Sequence, residues 1–332
     1  MTGYDTPPST ARIVVHNSGT PIEWTTTPAR IPFDDTAGSP WILAPPTVRD
    51  AFDAVSNAGR MLADTAFGRP RLGVKTGCNE AFVVTQRTAS HALANDLTEI
   101  ASGHRTGAVE SKLLRPVTRG EHLAAWTRRD TDERILWTHG ADGQPLKGLP
   151  RHALGWLRQW QRVLETRADT HGAKWWTLFR TESANRDRPR VAWADIGLSP
   201  RATVFPAGDS SVPLNTCYVV SCPRACDAYA LATLLNSSLI SAWLSLVAEP
   251  ARGGYHRYLG WTMALVPVPR EWDRAASILA PIGERALAGF APPADSLAAA
   301  ILDAFRLESS DVAPLIRWNS RHGGQHADRP GD

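Results

Sequence analysis

Apolar residues recur along the 332-residue chain at helical and strand spacings, separated by irregular stretches. Val48, Phe52 and Val55, with Met61 and Leu62 beyond them, share one helical face; Thr47, following Pro45-Pro46, is the expected cap of a helix running to about Leu62. Gly68-Arg69-Pro70 breaks that pattern. Residues 72–85 read as strand, tight turn and strand, with Gly73 and Gly77 supplying backbone freedom and residues 81–84 forming the second strand. Residues 113–117 and 134–137 predict two further strands. Ala153, Leu157, Trp160 and Leu164 predict one amphipathic helix over 149–168. Strands are expected at 190–193, ending at Asp195, and at 203–205 and 217–220. Asp227 then opens a long buried helix with Leu231, Leu235, Ala242 and Leu246 on one face. A Gly253-Gly254-Tyr255 turn, a strand at 265–268 and helices near 273–288, 295–305 and 310–318 complete the pattern.

Strands lie between helices without a regular βαβ rhythm, which predicts an α+β fold with a mixed or antiparallel sheet and packed helices. The expected organisation is an irregular lead-in over 1–40 with a short strand at 12–16, and a linker helix within 41–66. A main domain over 67–272, a small helical segment over 273–318 and a disordered tail over 319–332 follow.

Composition narrows the function. Hydrophobic residues at 43% support a buried core; a net charge of +3 permits a nucleic-acid partner without requiring one. Cys217, Cys222 and Cys226 make one loose cluster where a zinc site needs two separated knuckles, so reduced thiols and no metal are expected. Residues 1–12 carry no apolar run, and the apolar stretch 228–248 contains Thr233, Asn236, Ser237, Ser238, Ser241 and Ser245. The expectation is a cytoplasmic protein without a membrane span. There is no Gly-x-Gly turn for a nucleotide or S-adenosylmethionine. The run Gly68–Thr76 imitates a phosphate loop, but Val74 separates Gly73 from Lys75 and Pro70 interrupts it. No Gly-x-Ser-x-Gly elbow and no His-Glu-x-x-His helix occur, and the ten histidines form no ligand-spaced pair.

Three motifs stand out in order. They are Gly73-Val74-Lys75-Thr76-Gly77-Cys78-Asn79-Glu80-Ala81-Phe82-Val83-Val84, then Arg115-Pro116-Val117-Thr118-Arg119-Gly120-Glu121-His122-Leu123, then Leu234-Leu235-Asn236-Ser237-Ser238-Leu239. The last is followed by Arg252-Gly253-Gly254-Tyr255-His256-Arg257-Tyr258 and Leu265-Val266-Pro267-Val268-Pro269. Over roughly residues 40–318 this set resembles the TaqI-like C-terminal specificity domain, the target-recognition domain of adenine-N6 DNA methyltransferases and type IIG restriction–modification enzymes. Trp175-Trp176 ahead of Arg190–Ile196 is similar to the same pattern. The resemblance implies sequence-specific recognition of double-stranded DNA. The family's Asn-Pro-Pro-Tyr signature, which holds a flipped adenine, has no counterpart: the Pro-Pro pairs at 7–8, 45–46 and 292–293 lack its flanking residues. No catalytic residue and no cofactor is therefore expected in this chain. S-adenosylmethionine is expected on a partner methyltransferase or restriction subunit. Two alternatives stay open: a fragment of a split adenine-specific methyltransferase that is active only with its catalytic half, docking through the Trp24–Trp41 region, and a scaffold that has lost DNA binding.

A reading domain needs cations and backbone donors for phosphates, and a few side chains for base edges. Lys75 supplies a cation, Thr76 a hydroxyl and Asn79 an amide suited to adenine N6 and N7; the same turn also reads as a structural hairpin in which Asn79 bonds its own backbone. Arg115 and Arg119 suit phosphate or guanine, or else pair in solvent with Glu110 or Glu121. Arg186 and Arg188, with Arg190, alternate on an expected extended strand that would track phosphates, or belong to a solvated loop. Arg252, Tyr255, His256 and Arg257 form a basic loop with aromatics around two glycines; the alternative is a plain loop whose tyrosines pack on the core. Trp175 and Trp176 cannot both face inward on a strand, which leaves one as a partner-facing anchor.

Overall fold

The computed structural model describes residues 9–15, 21–87, 96–170 and 172–322. It has the expected α+β architecture, built on two hydrophobic cores.

The larger core lies between a four-stranded antiparallel sheet and a group of helices. The sheet runs in the order Ala202–Phe205, Arg190–Ala194, Cys217–Ser221, Arg71–Leu72. Its strands read as nearly continuous apolar runs because both faces are covered. Val191, Trp193, Val204 and Val220 join the helical core, while Ala192, Phe205, Cys217 and Val219 face Leu123 on the other side.

Helix Pro46–Ala58 buries Val48, Ala51, Phe52 and Val55. Its N-cap is Pro45, not Thr47, and Pro46 opens it with a preset φ and no N–H to leave unpaired. It ends at Ala58, not Leu62, because Gly59–Met61 is extended and pairs antiparallel with Pro267–Pro269. Phe52 stacks on Trp243 with centroids 4.9 Å apart, and truncation of such a fully buried aromatic costs about 3–5 kcal/mol. The last helix, Ser309–His322, packs against the first one, so segments far apart in sequence close the same core. That helix extends past the expected end at 318; the remainder of the expected tail lies outside the described residues, as does the end of the expected strand at His16.

The long buried helix is two helices, Ala225–Leu235 and Ser238–Leu244. The interruption is specific: the Asn236 amide donates to the carbonyl of Ala202 at 2.9 Å and accepts from its N–H at 2.8 Å, pairing with the backbone at the start of the outermost strand. Ser237 then caps the second helix by accepting from Ile240 N. The expected helix over 149–168 is likewise two pieces, Arg151–Arg158 and Gln161–Glu165. Between them Trp160 lies under the Arg105 guanidinium, 4.7 Å from its ring centroid.

The second core covers a six-stranded sheet ordered Val212–Pro213, Leu114–Thr118, Glu133–Leu136, Val83–Gln86, Leu97–Ser102, Arg105–Glu110. The first pair is parallel and the rest are antiparallel. Helix Arg151–Arg158 lies against it, and Trp156 donates from Nε1 to the Ala81 carbonyl at 2.9 Å.

The segment 72–85 is not a hairpin. Its first strand pairs with Cys217–Ser221 and its last with Glu133–Leu136, and a short helix, Asn79–Phe82, stands where a strand was expected to begin. It is instead the crossing from one core to the other. Gly73 is required there by proximity: a Cβ would lie 2.0 Å from the Leu214 carbonyl oxygen. Gly77 alone of the two needs the left-handed region, with φ +68°. No helix is long and apolar enough to cross a membrane among the described residues.

Candidate nucleic-acid interface

The segment 249–257 supplies two strands of a small three-stranded sheet. Glu249–Pro250 and His256–Arg257 pair antiparallel, and Ile196–Gly197 pairs on the other side of His256–Arg257. Gly253 and Gly254, both at φ +76°, turn the chain, and Ala251 N donates to the Tyr255 carbonyl at 2.7 Å. The unit is anchored by Tyr258, whose N–H donates to the Asp195 carbonyl and whose own carbonyl accepts from Trp193 Nε1. Burial drives the Tyr258 phenol well above its ordinary pKa. One of the two tyrosines is thus a core residue, while Tyr255 is 40% exposed.

Arg252 and Arg257 are exposed, and neither closes a salt bridge among the described residues. Register places Ile196, Arg257 and Glu249 side by side on one face of the ribbon. Behind them, burial raises the Asp195 carboxyl above its usual value, and the nearby Arg257 charge opposes that rise. His256 is half-buried and desolvation lowers its pKa, so it is the neutral imidazole at pH 7.

The other expected site residues occupy three places. Lys75 pairs with Phe179 through the backbone and with Asp169 through Nζ at 2.6 Å. Thr76 is buried; its hydroxyl donates to Asn79 Oδ1 at 2.7 Å and its carbonyl accepts from Arg167 Nη1. The Asn79 side chain therefore bonds a neighbouring hydroxyl, not its own backbone.

Arg119 is half-buried just past the strand Leu114–Thr118, with Nε and Nη2 on the two Glu133 oxygens at 2.8 and 2.9 Å. Its partner is this cross-strand carboxylate, not Glu121, while Glu110 accepts from the backbone of His152 and Ala153. Gly120 N donates to Thr216 Oγ1 and Asp195 N to the Thr216 carbonyl, which brings the Arg119 segment beside the base of the Arg257 ribbon. Arg115 donates to the carbonyls of Ser210 and Ala184 and lies 4.2 Å from the Trp137 ring centroid. Burial, then the charges of Arg190 and Arg186, pull its pKa down to about 10.

Arg186 and Arg188 sit on an exposed irregular segment that bends at Asp187 and Arg188, not on an extended strand. Arg190 does not share their face. It is fully buried, donates to the carbonyls of Ser183, Ser211 and Asp209, and lies over Phe205, as does Arg128, which pairs with Asp209 at 2.6 Å. Burial lowers the Arg190 pKa to about 10. No local pattern marks this interior cluster, in which Arg128 and Asp209 are 81 positions apart in the chain but adjacent in space. Trp175 and Trp176 are half-buried in a turn, edge to face at 5.3 Å, and Trp176 donates to the Leu146 carbonyl; both pack on the second core. Among the described residues no group of three or more His, Cys, Asp or Glu side chains is placed to hold a metal.

No protein-family model and no curated protein matches the chain. Solved structures do. The type IIL restriction-modification enzyme MmeI, in complex with DNA, aligns at TM-score 0.55 and 13% identity over 98% of this chain and 42% of that one. The type IIG restriction endonuclease BpuSI aligns at TM-score 0.42 and 11% identity over 92% of this chain and 37% of its own. The chain thus has a fold like that of part of a restriction-modification enzyme and spans about two-fifths of MmeI.

Proposed function

We propose that this chain recognises double-stranded DNA sequence-specifically for a restriction–modification system with an adenine-N6 methyltransferase. In this reading the flipped adenine and S-adenosylmethionine belong to a separate catalytic half. The observation that carries it is the ribbon 249–257, which presents Arg252 and Arg257 to solvent without salt bridges among the described residues, beside two glycines whose backbone a phosphate can approach closely. Tyr255 adds an exposed hydroxyl, and the segment carrying Arg186 and Arg188 adds two further exposed cations. Lys75, Thr76, Asn79, Arg115 and Arg119 act in this reading mainly by fixing the loops that flank the duplex, since each is already engaged within the chain. His256, neutral and half-buried, supports the ribbon from its other face.

The DNA-bound state of MmeI and the near-complete coverage of this chain support the reading. Binding of a randomised duplex pool at stepped salt concentrations tests it. Enrichment of one sequence motif, with affinity falling steeply as salt rises, is expected. Salt-independent retention, or no enrichment at low salt, would sink it.

A second reading, a recognition fragment that docks on its methyltransferase half, is favoured by Trp41, which is 71% exposed, whereas Trp24 is buried against Trp318. Co-purification of the catalytic half with the wild type, and its loss with Trp41→Ser, is expected; unchanged co-purification would exclude Trp41 from the docking surface.

A further inference from the structure

A cleft of 710 Å³ opens between the loop after strand Glu133–Leu136 and the segment 181–187, within the size range of small-molecule sites. Its wall carries the Arg115–Trp137 stack. Arg115 is held there by Nε on the Ser210 carbonyl at 2.7 Å and Nη2 on the Ala184 carbonyl at 3.0 Å. Its remaining nitrogen, Nη1, makes no hydrogen bond among the described residues. Lys112 and Arg186 line the same cleft, are exposed and close no salt bridge among the described residues. Of the carboxylates in the wall, Glu182 faces Arg71 at 3.4 Å and Asp142 accepts from Gln144 N, while Asp187 closes no salt bridge among the described residues. Gln144 and Asn185 each present an exposed amide.

We propose that this cleft binds one unstacked nucleotide, with its base on the Arg115–Trp137 platform and its phosphate between Lys112 and Arg186. Guanidinium planes and aromatic faces both stack on nucleobases with little regard to sequence. The Gln144 amide offers a donor and an acceptor to a base edge, Asn185 offers Nδ2 as a donor while its Oδ1 accepts from Asp187 N at 2.8 Å, and Asp187 accepts from an exocyclic amino group. His139 also lines the cleft, 5.6 Å from the Trp137 ring, as a neutral imidazole that adds no competing charge. The assignment does not depend on duplex recognition, because a free nucleotide and a nucleotide displaced from a strand present the same base and phosphate.

The test is calorimetric titration of the full chain with the four deoxynucleoside 5′-monophosphates, with the corresponding nucleosides, and with a duplex carrying one unpaired nucleotide against its fully paired counterpart. Monophosphates are expected to bind about tenfold more tightly than nucleosides, a preference that K112A/R186A removes, both positions being exposed. Trp137→Leu weakens both ligand types by about tenfold. Binding of monophosphates identifies a free nucleotide as the occupant; a preference for the bulged duplex that K112A/R186A abolishes, without monophosphate binding, identifies a strand nucleotide. The proposal is overturned if neither ligand binds, if K112A/R186A binds as the wild type does, or if R252A/R257A, on the separate ribbon, abolishes nucleotide binding. Monophosphate binding by a chain that ignores paired duplexes would remove the DNA-recognition reading and leave this one standing.

Discussion

Arg119, just past the strand Leu114–Thr118, and Glu133, at the start of the neighbouring strand, make a two-point contact, Nε to Oε2 at 2.8 Å and Nη2 to Oε1 at 2.9 Å, with both side chains mostly buried. The guanidinium and carboxylate hold each other ionised: the Arg119 hydrogen bonds lower the Glu133 pKa, and Glu133 raises that of Arg119. A carboxylate whose folded pKa is depressed stabilises the fold above its unfolded value and loses that contribution as pH falls through the folded one. Unfolding free energy should therefore decline below the ordinary carboxylate range, and Glu133→Gln should flatten that part of the profile. At pH 7, Arg119→Ala is expected to cost about 1–3 kcal/mol, with a double-mutant cycle showing coupling to Glu133. Zero coupling in urea melts would show the pair to be inert.

The exposed ribbon makes the contrary prediction. Arg252→Ala and Arg257→Ala should leave Tm within experimental error, because neither side chain closes a salt bridge among the described residues. Each should weaken duplex binding and reduce the slope of log affinity against log salt by about 0.9 for each phosphate that the variant no longer neutralises. Fluorescence anisotropy over a salt series measures this; an unchanged slope in both variants would take the ribbon out of the interface.

Arg190 should behave as a structural residue. It satisfies the carbonyls of buried Ser183 and Ser211 and of half-buried Asp209, and its removal takes this donor away from all three. Arg190→Ala is expected to lose about 3 kcal/mol or more, and Arg190→Lys to recover little, because a point ammonium cannot reproduce the planar fork. Full stability of the lysine variant in denaturant titrations would contradict this account.

His139 gives a pH signature of its own. Burial lowers its pKa to about 4, so the folded state binds its proton later than the unfolded chain does. Between about pH 6.5, the unperturbed value, and pH 4, the unfolded state carries more charge at this residue, and acidification costs stability. Imidazole resonances followed by NMR should show His139 still neutral at pH 5.5; a midpoint near 6.5 would refute its burial.

Much of the architecture was legible in the sequence. Strands at 114–118, 133–136, 190–194 and 217–221 and helices at 46–58, 272–287 and 294–305 fall near their expected places, because a face packed on a core imposes its period on the residues. The hairpin Leu97–Ser102 and Arg105–Glu110 was not legible: half its strand residues are polar, and Ile100 and Val109 are the members buried. The interruption at Asn236 was invisible for a different reason. Leucines and alanines run through it at helical spacing, and only the backbone of Ala202, supplied by another strand, makes an amide more favourable there than a continued turn.

The sequence by itself determined the class of fold, most of the elements and the set of arginines with their turn glycines, since periodicity and residue chemistry are local properties. Tertiary structure decided which arginines project into water. Arg119 and Arg190 look in the chain much like Arg252 and Arg257, yet the first two meet Glu133 and three backbone carbonyls, while the latter two stay exposed. An ionic partner is fixed by strand pairing and loop crossing, and separations of tens of residues leave no trace of it in local pattern.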